Sequence, residues 1–201
     1  MSIILNKLEY AYPNARCELD YTSPYELLVA VVLSAQCTDK RVNLVTKKLF
    51  ERAGTPQEMA AVPICELEGY IRSCGFYRTK AKAINSLSRD IIDLHGGCVP
   101  STLDQLIALR GVGIKTAKVV LSEIYNLPHI AVDTHVYRVS RRLGLSSAKT
   151  PESVGIELER LIPQEYRAKA HHLLIFHGRY CCKSQNPNCV ECTVREHCTG
   201  K

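Results

Sequence analysis

Hydrophobic residues recur along most of the chain at spacings of three and four, the pattern of an amphipathic helix. The clearest run consists of Ile84, Leu87, Ile91 and Leu94. It stops at Gly96-Gly97, and glycine is typical of the residue that follows a helix. No segment shows the polar–apolar alternation of a half-buried strand. The pattern therefore predicts an all-α protein.

Capping signals place the ends of several predicted helices. Ser23-Pro24-Tyr25-Glu26 has the form of a capping box with proline at the first helical position. It opens a helix through Leu33 that is apolar on all sides, which predicts burial at a domain centre. Thr102 begins a second capping box, and Asp133 is the predicted N-cap of a helix that Gly144 ends. Further helices are predicted after Thr38-Asp39, over Glu66–Ser73 and along 117–124.

The composition is that of a folded globular chain. Of 201 residues, 46% are hydrophobic and 23% are charged, which excludes a disordered or collagen-like chain. The longest apolar run, Leu27–Leu33, is far short of the ~18 residues that span a bilayer. The N-terminus also lacks the pattern of a secretory signal. We therefore expect a soluble, intracellular protein without a membrane-spanning segment.

The net charge of +6 suits a polyanionic partner. Half of that excess falls within Ser101–Arg142, which contains six basic and three acidic residues. Charged runs are usually solvated surfaces. The basic excess is therefore consistent with a phosphate-binding surface and equally with an ordinary solvated one.

Two glycines, Gly111 and Gly113, flank Val112 between two predicted helices. Glycine permits positive φ and close approach of another backbone. The first amides of the next helix lack intrahelical partners and lie at the positive end of its dipole, so the turn could hold a phosphate. A tight helix–helix connection that needs glycine only for its geometry explains the spacing equally well.

Lys115 lies in the first turn of the helix after these glycines. Most lysines are solvated surface residues. The helix dipole, however, disfavours a cation at this end and favours the uncharged amine that forms a Schiff base. Asp133 also has two interpretations. It is an N-cap, which contributes about 1 kcal/mol, or a carboxylate that moves protons and stabilises positive charge on a sugar. Taken alone, Asp133 fits capping better.

Five of the ten cysteines lie in the last 21 residues. Without a secretory signal, metal binding is favoured over disulfides. The spacing C-x6-C-x2-C-x5-C contains one close pair where zinc modules usually have two, and an iron–sulfur cube accepts wider spacing. The spacing therefore favours an iron–sulfur cluster, with a zinc ion as the alternative. Cys181 lies outside this spacing and is not a predicted ligand. The four predicted ligands are Cys182, Cys189, Cys192 and Cys198.

With these motifs the chain resembles the endonuclease III family, iron–sulfur DNA glycosylase/AP lyases of the helix-hairpin-helix superfamily. The resemblance covers nearly the whole chain and is most specific at Gly111–Ala117, at Val132–Val136 and at His177–Tyr180 with the cysteine quartet. It implies Lys115 as nucleophile and Asp133 as its catalytic partner. The implied activity is excision of oxidised pyrimidines and nicking of the abasic site by β-elimination.

The resemblance also implies a cofactor and a DNA interface. A [4Fe-4S] cluster would be held by the cysteine quartet, and the partner would be double-stranded DNA with a damaged base or abasic site. The implied protein is a cytoplasmic monomer, associated with the nucleoid if bacterial and without membrane contact. Gln36 would fill the gap left by an extruded nucleotide, and Phe76 would be the wedge between bases. The implied phosphate contacts are Gly111, Val112 and Gly113.

The family architecture implies two helical lobes with a DNA cleft between them. Residues 17–127 would form a six-helix lobe with the hairpin. Residues 1–16 and 128–201 would form a smaller helical lobe with the C-terminal iron–sulfur loop.

The chain departs from the family pattern at four positions. Arg110 replaces a common proline, Phe76 replaces an aliphatic wedge, and Cys37 and Cys181 are additional thiols. Two alternatives stay open. A monofunctional glycosylase of the superfamily would release the base without nicking the strand, but that branch lacks the hairpin lysine. A non-enzymatic DNA-binding or redox protein would bind duplex and give no product.

Overall fold

The computed structural model describes residues 3–200, and their regular structure is entirely helical. This confirms the predicted all-α class. No helix in the described range is both long and apolar enough to cross a bilayer. The eleven α-helices are α1 (Ile3–Ala11), α2 (Pro24–Ser34), α3 (Asp39–Arg52), α4 (Pro56–Ala61), α5 (Ile64–Ile71), α6 (Tyr77–His95), α7 (Leu103–Ala108), α8 (Ile114–Tyr125), α9 (Thr134–Arg142), α10 (Pro151–Leu161) and α11 (Arg167–Tyr180). Two short 3-10 helices cover Gln164–Tyr166 and Arg195–His197.

The described residues form two compact units. The first, Glu18–Tyr125, contains α2 to α8. The second combines the described residues before Glu18 with those after Tyr125, so α1 belongs with α9, α10 and α11. Among the described residues this unit contains seven α-helices, one of which is the six-residue helix α4 with its capping box at Thr55.

Helix α2 forms the centre of the unit Glu18–Tyr125, where it packs against α3, α6 and α8. Every residue from Leu27 to Leu33 is buried, as the apolar sequence predicts. The Ser23 hydroxyl accepts a hydrogen bond from the Glu26 amide at 3.1 Å. In a complete capping box the Glu26 carboxylate would accept from the amide of Ser23. Here it accepts instead from the amide and hydroxyl of the preceding residue, Thr22.

The second unit is built on the contact between α9 and α11. Gly178 permits this contact, because a Cβ atom there would lie only 2.8 Å from the Cβ of His135. Leu5 and Leu8 from α1 are buried in the same core as Val136 and Leu173. Helix α11 ends at Tyr180, directly before the cysteine-rich segment.

Candidate functional site

The turn between α7 and α8 requires one of its glycines for the fold itself. Gly111 has φ of 82°, and a Cβ there would lie 2.7 Å from the Cβ of Ala83 in α6. At Gly113 φ is not left-handed, and no atom lies within 4 Å of an added Cβ. Val112 is buried and anchors the turn. Close packing against Ala83 therefore explains why residue 111 is glycine. The space beside Gly113 is unoccupied in the described part of the chain, so a ligand could approach the backbone there.

Lys115 is the second residue of α8, and its side chain is exposed. The backbone ladder of this helix begins with the Ala117 amide, which donates to the Gly113 carbonyl at 2.9 Å. The amides before Ala117 therefore lack intrahelical acceptors, and they lie beside the lysine. The turn thus places an accessible amine next to backbone donors that suit an anion.

Asp133 belongs to the second unit, where it caps α9. Its Oδ1 accepts a hydrogen bond from the Val136 amide at 2.7 Å, which confirms the predicted N-cap. The residue is half-buried. Among the residues that the structure describes, none donates a hydrogen bond to its Oδ2. The cap therefore uses one carboxylate oxygen and leaves the other available.

Gln36 and Phe76 share an unusual backbone conformation. Their φ values are 53° and 56°, in the left-handed region that costs a non-glycine residue about 1–2 kcal/mol. Both side chains are exposed, that of Phe76 to 68%. Their loops touch, since a Cβ on Gly75 would lie 3.3 Å from the Gln36 carbonyl oxygen. The structure therefore brings these two candidate residues together, and strained residues of this kind cluster at functional sites.

Lys80 supports the Gln36 loop from inside the unit. Its side chain lies in α6 and is only 7% exposed. The Nζ atom donates to the carbonyl oxygens of Leu33 at 2.8 Å and Ala35 at 2.6 Å, at the end of α2. Burial lowers the pKa of Lys80. No sequence pattern indicates this role, because lysine is seldom buried.

The cysteine-rich segment encloses a cavity of about 410 Å³. It is lined by His177, Cys181 and all four predicted ligands, Cys182, Cys189, Cys192 and Cys198. One zinc ion would need four sulfurs at ~2.3 Å from a single point, whereas a cube holds its thiolates farther apart. The cavity therefore fits the larger group better, and the donor set of thiols suits either.

The closest potential ligands in the described part of the chain differ from the predicted quartet. Atoms of His177, Cys181 and Cys192 lie within 4.8 Å of one another. His177 is 1% exposed, and burial lowers its pKa to about 4, so its ring is neutral. Its Nε2 lies 3.8 Å from the Cys192 sulfur. The position of His177 beside the sulfurs was not predicted from the sequence. The Cys181 thiol donates to the Asn188 carbonyl at 3.3 Å, as a protonated group does.

Arg142 forms hydrogen bonds with both ends of the cysteine-rich segment. Its main-chain oxygen accepts hydrogen bonds from the amides of Thr199 at 3.0 Å and Gly200 at 2.9 Å. Its guanidinium donates to the Lys183 carbonyl at 2.7 Å and lies 3.5 Å from the Cys182 sulfur. The end of α9 therefore organises the cavity.

Comparisons with known proteins agree with this geometry. The family model for HhH-GPD superfamily base excision DNA repair proteins matches residues 29–164. Endonuclease III of Bacillus subtilis (strain 168) is 50% identical, over 96% of this chain and 89% of that protein. Endonuclease III of Escherichia coli (strain K12) is 41% identical, over 98% and 94%.

Solved structures give the same result. A trapped endonuclease III–DNA covalent intermediate superposes with a TM-score of 0.95 at 48% identity, covering 98% of this chain and 93% of that one. A non-covalent endonuclease III–DNA complex has a TM-score of 0.94 at 49% identity, with 98% and 92% covered. These matches confirm the resemblance and the fold class. The chain belongs to the endonuclease III family of HhH-GPD base excision DNA repair proteins, which are DNA glycosylase/AP lyases.

Proposed function

We propose that this chain excises oxidised pyrimidines from duplex DNA and nicks the abasic site by β-elimination, with Lys115 as nucleophile and Asp133 as its partner. The observation that carries the proposal is the exposed Lys115 amine in the first turn of α8, directly after the open space at Gly113. The solved structure of a relative as a trapped DNA covalent intermediate supports a covalent route. The chain would act as a monomer in the cytoplasm.

Base removal begins with extrusion of the damaged nucleotide, at a cost of a few kcal/mol that is smallest for a damaged base. Gln36 and Phe76 would offset that cost by entering the vacated stack. Their left-handed backbones direct two exposed side chains from touching loops. A role in DNA binding would explain why both residues keep a strained backbone, because that conformation orients their side chains.

The Lys115 amine then attacks C1′, and the bond from C1′ to the base breaks with its electron pair leaving on the base. The sugar opens to a Schiff base, which acidifies the C2′ protons. Loss of one such proton and cleavage of the C3′–O bond release the 3′ phosphate and nick the strand. Asp133 would stabilise positive charge at C1′ and move protons through Oδ2, while Oδ1 holds the Val136 amide.

The turn at Gly111, Val112 and Gly113 would hold a backbone phosphate through the unpaired amides at the start of α8. This contact positions the duplex and does not read its sequence. Buried Val112 keeps the turn fixed on the core of its unit. We assign the lobe predicted at 17–127 to the unit Glu18–Tyr125, and the other predicted lobe to the second unit.

We infer that the cysteine-lined cavity holds a [4Fe-4S] cluster. When bound, the cluster would link a segment that has little regular structure and keep it folded. Cys182, Cys189, Cys192 and Cys198 would be its ligands. Arg142 would bring the first and last of them together, since it contacts the Cys182 sulfur and accepts from that of Cys198 at 3.1 Å.

Borohydride trapping on duplex that carries an oxidised pyrimidine tests the proposal. Reduction of the Schiff base should leave the native protein covalently bound to DNA, and Lys115→Ala should give no adduct. Arg110→Ala is the matched control, because it removes one exposed positive charge from the same turn and should retain the adduct. A persistent adduct in Lys115→Ala would reject Lys115.

The same assays separate the alternatives. Base release with an intact strand would indicate a monofunctional glycosylase. Salt-dependent binding without any product would indicate a DNA-binding protein. Purified protein that is yellow-brown supports the cluster, whereas a colourless protein with stoichiometric zinc contradicts it.

A further inference from the structure

Residues 34–37 form a tight turn directly after α2. The Cys37 amide donates a hydrogen bond to the Ser34 carbonyl at 3.0 Å, which closes the turn. Ala35 has φ of −56° and ψ of 114°, and Gln36 has φ of 53°. These angles are those of a type II turn, whose third residue has positive φ and is usually glycine. Here the third residue is Gln36, so the turn holds a long side chain on a backbone that glutamine seldom adopts.

The alternative is a type I turn, which suits most residues. The two types differ mainly in the peptide between the second and third residues, which is rotated by about half a turn from one type to the other. In residues 34–37 the carbonyl of that peptide belongs to Ala35. The direction of the Ala35 carbonyl therefore decides whether Gln36 has positive or negative φ.

Lys80 binds this carbonyl from inside the unit. Its Nζ atom donates to the Ala35 oxygen at 2.6 Å and to the Leu33 oxygen at 2.8 Å. The Leu33 carbonyl lies in the last turn of α2, where carbonyls lack intrahelical donors and carry the negative end of the helix dipole. The Lys80 side chain is buried, and hydrogen bonds from a charged donor are about twice as strong as neutral ones. Rotation to a type I turn would break the bond to Ala35 and leave a buried ammonium with one acceptor fewer.

We propose that Lys80 is a positioning residue that selects the type II turn and thereby directs the Gln36 side chain toward DNA. The effect on DNA rests on the proposed function of Gln36. The control of the turn rests only on the hydrogen bonds of the Lys80 side chain. Lys80 is buried and acts through Gln36 alone.

The Phe76 loop is bonded to the same residue in a different way. The main-chain amide of Lys80 donates to the Phe76 carbonyl at 3.0 Å. This bond does not depend on the side chain, so it remains when Lys80 is replaced. A replacement therefore changes the Gln36 turn and leaves the start of α6 in place.

The expected size of the effect follows from the backbone of Gln36. A left-handed backbone is disfavoured for a residue other than glycine by a factor of about 5–30. Without the Lys80 ammonium the type I turn becomes the major form, and the form that directs Gln36 toward DNA becomes a minor one. A process that requires a minor form slows in proportion to its population. We expect Lys80→Met to slow product formation about 5- to 30-fold.

The test compares the native protein, Lys80→Met, Gln36→Ala and the double variant. Single-turnover product formation is measured on duplex that carries an oxidised pyrimidine. If Lys80 acts through Gln36, its replacement causes no further loss once the Gln36 side chain is absent. The double variant should then match Gln36→Ala within about twofold, whereas the losses of independent residues multiply.

Asn85→Leu is the matched control. Asn85 is also buried in α6, and its amide donates to the carbonyl oxygens of Met59 at 3.5 Å and Ala60 at 3.2 Å, near the end of α4. Its replacement removes the same kind of buried bond from the end of another helix. Asn85→Leu should therefore lower the melting temperature and leave the rate of product formation native.

The conformation of the turn is measured directly as well. Circular dichroism and thermal melts show which variants fold, and a crystal structure of the folded Lys80 variant should show negative φ at Gln36. If Lys80→Met does not fold, Lys80→Gln replaces it. Its amide keeps a polar group in the buried site, but the side chain is one bond shorter and no longer reaches the Ala35 carbonyl.

Three results would overturn the proposal: positive φ at Gln36 in the folded Lys80 variant, a native rate in that variant, or losses that multiply in the double variant. An equal loss of rate in Asn85→Leu would also overturn it, because any loosening of α6 would then suffice. Failure of the proposed function gives a different result. In that case Gln36→Ala keeps the native rate, or the native protein forms no product, although the Lys80 variant still has negative φ at Gln36.

Discussion

The carboxylate of Asp133 accepts a hydrogen bond from the Val136 amide at 2.7 Å, so the residue proposed to assist catalysis also begins α9. A carboxylate has two oxygen atoms, and the cap occupies only Oδ1. Capping and catalysis are therefore compatible in one side chain. The two roles can be separated, because an amide oxygen can cap a helix but carries no charge.

Asp133→Asn should retain the fold and lose most of the activity. The amide oxygen can still accept from Val136, so the melting temperature should stay near the native value. Loss of the charge should slow base release at least about 100-fold, the usual contribution of a positioned acid or base. Asp133→Ala also removes the cap and should lower the free energy of unfolding by about 1 kcal/mol. Single-turnover base release and thermal melts measure both effects. If Asp133→Asn melts as low as Asp133→Ala, capping is the dominant role.

Phe76→Gly should separate stability from activity. Glycine relieves the left-handed backbone by about 1–2 kcal/mol and adds about 0.5–1 kcal/mol of unfolded-state entropy. The ring is 68% exposed, so little burial is lost. We therefore expect an unfolding free energy equal to or above the native value, with product formation slower by about tenfold because the wedge is missing. Phe76→Leu supplies an apolar, aliphatic wedge in place of the ring and is the control. Native activity in Phe76→Gly would contradict the wedge assignment.

The long helices are predictable because their signals are local. Helix α2 has a cap, a proline and an unbroken apolar run, and α6 has a helical period that ends at glycine. Helix α4 has a complete capping box at Thr55, but its six residues are too few for a period to emerge. Helix α10 has its cap at Thr150 and was not predicted either. Short helices depend on the core that they cover, which the pattern of one segment does not reveal.

The site is only partly predictable for the same reason. Lys115 and Asp133 belong to motifs, and their places at helix starts follow from the sequence. The left-handed backbone of Gln36 does not, because its neighbour Ala35 is held by Lys80, 45 residues away along the chain. His177 lies within a quoted motif, yet its contact with Cys192 depends on the path of the whole cysteine-rich segment.

Arg142→Met should loosen the cysteine-rich segment while leaving α9 intact. The variant loses the guanidinium bonds to the Lys183 and Ser184 carbonyls but keeps the main-chain bonds at Thr199 and Gly200. Hydrogen bonds from a charged donor are worth about 1.5–3 kcal/mol. We expect faster proteolysis within the segment, measured by mass spectrometry, and faster loss of the proposed cluster, measured by visible absorption.

Arg141→Met is the matched control for that experiment. The exposed Arg141 donates to the Tyr137 hydroxyl at 2.8 Å and makes no described contact with a cysteine. Its replacement removes the same charge from the same helix end. Equal loss of the proposed cluster in both variants would show that charge, and not the contact with the segment, is responsible.

Tyr25→Phe should make stability less sensitive to alkaline pH. The Tyr25 hydroxyl is buried and hydrogen-bonded to Ser88, and burial raises the pKa of Tyr25 above its usual 10.0. The folded protein therefore keeps the phenol proton to higher pH than the unfolded chain does. This contribution to stability is complete below pH 10.0 and is lost as the pH rises toward the raised pKa. The variant leaves Ser88 paired, since its hydroxyl donates to the Ile84 carbonyl at 2.6 Å. Urea unfolding on both sides of pH 10.0 should show the native protein losing stability more steeply than Tyr25→Phe; equal slopes would contradict the assignment.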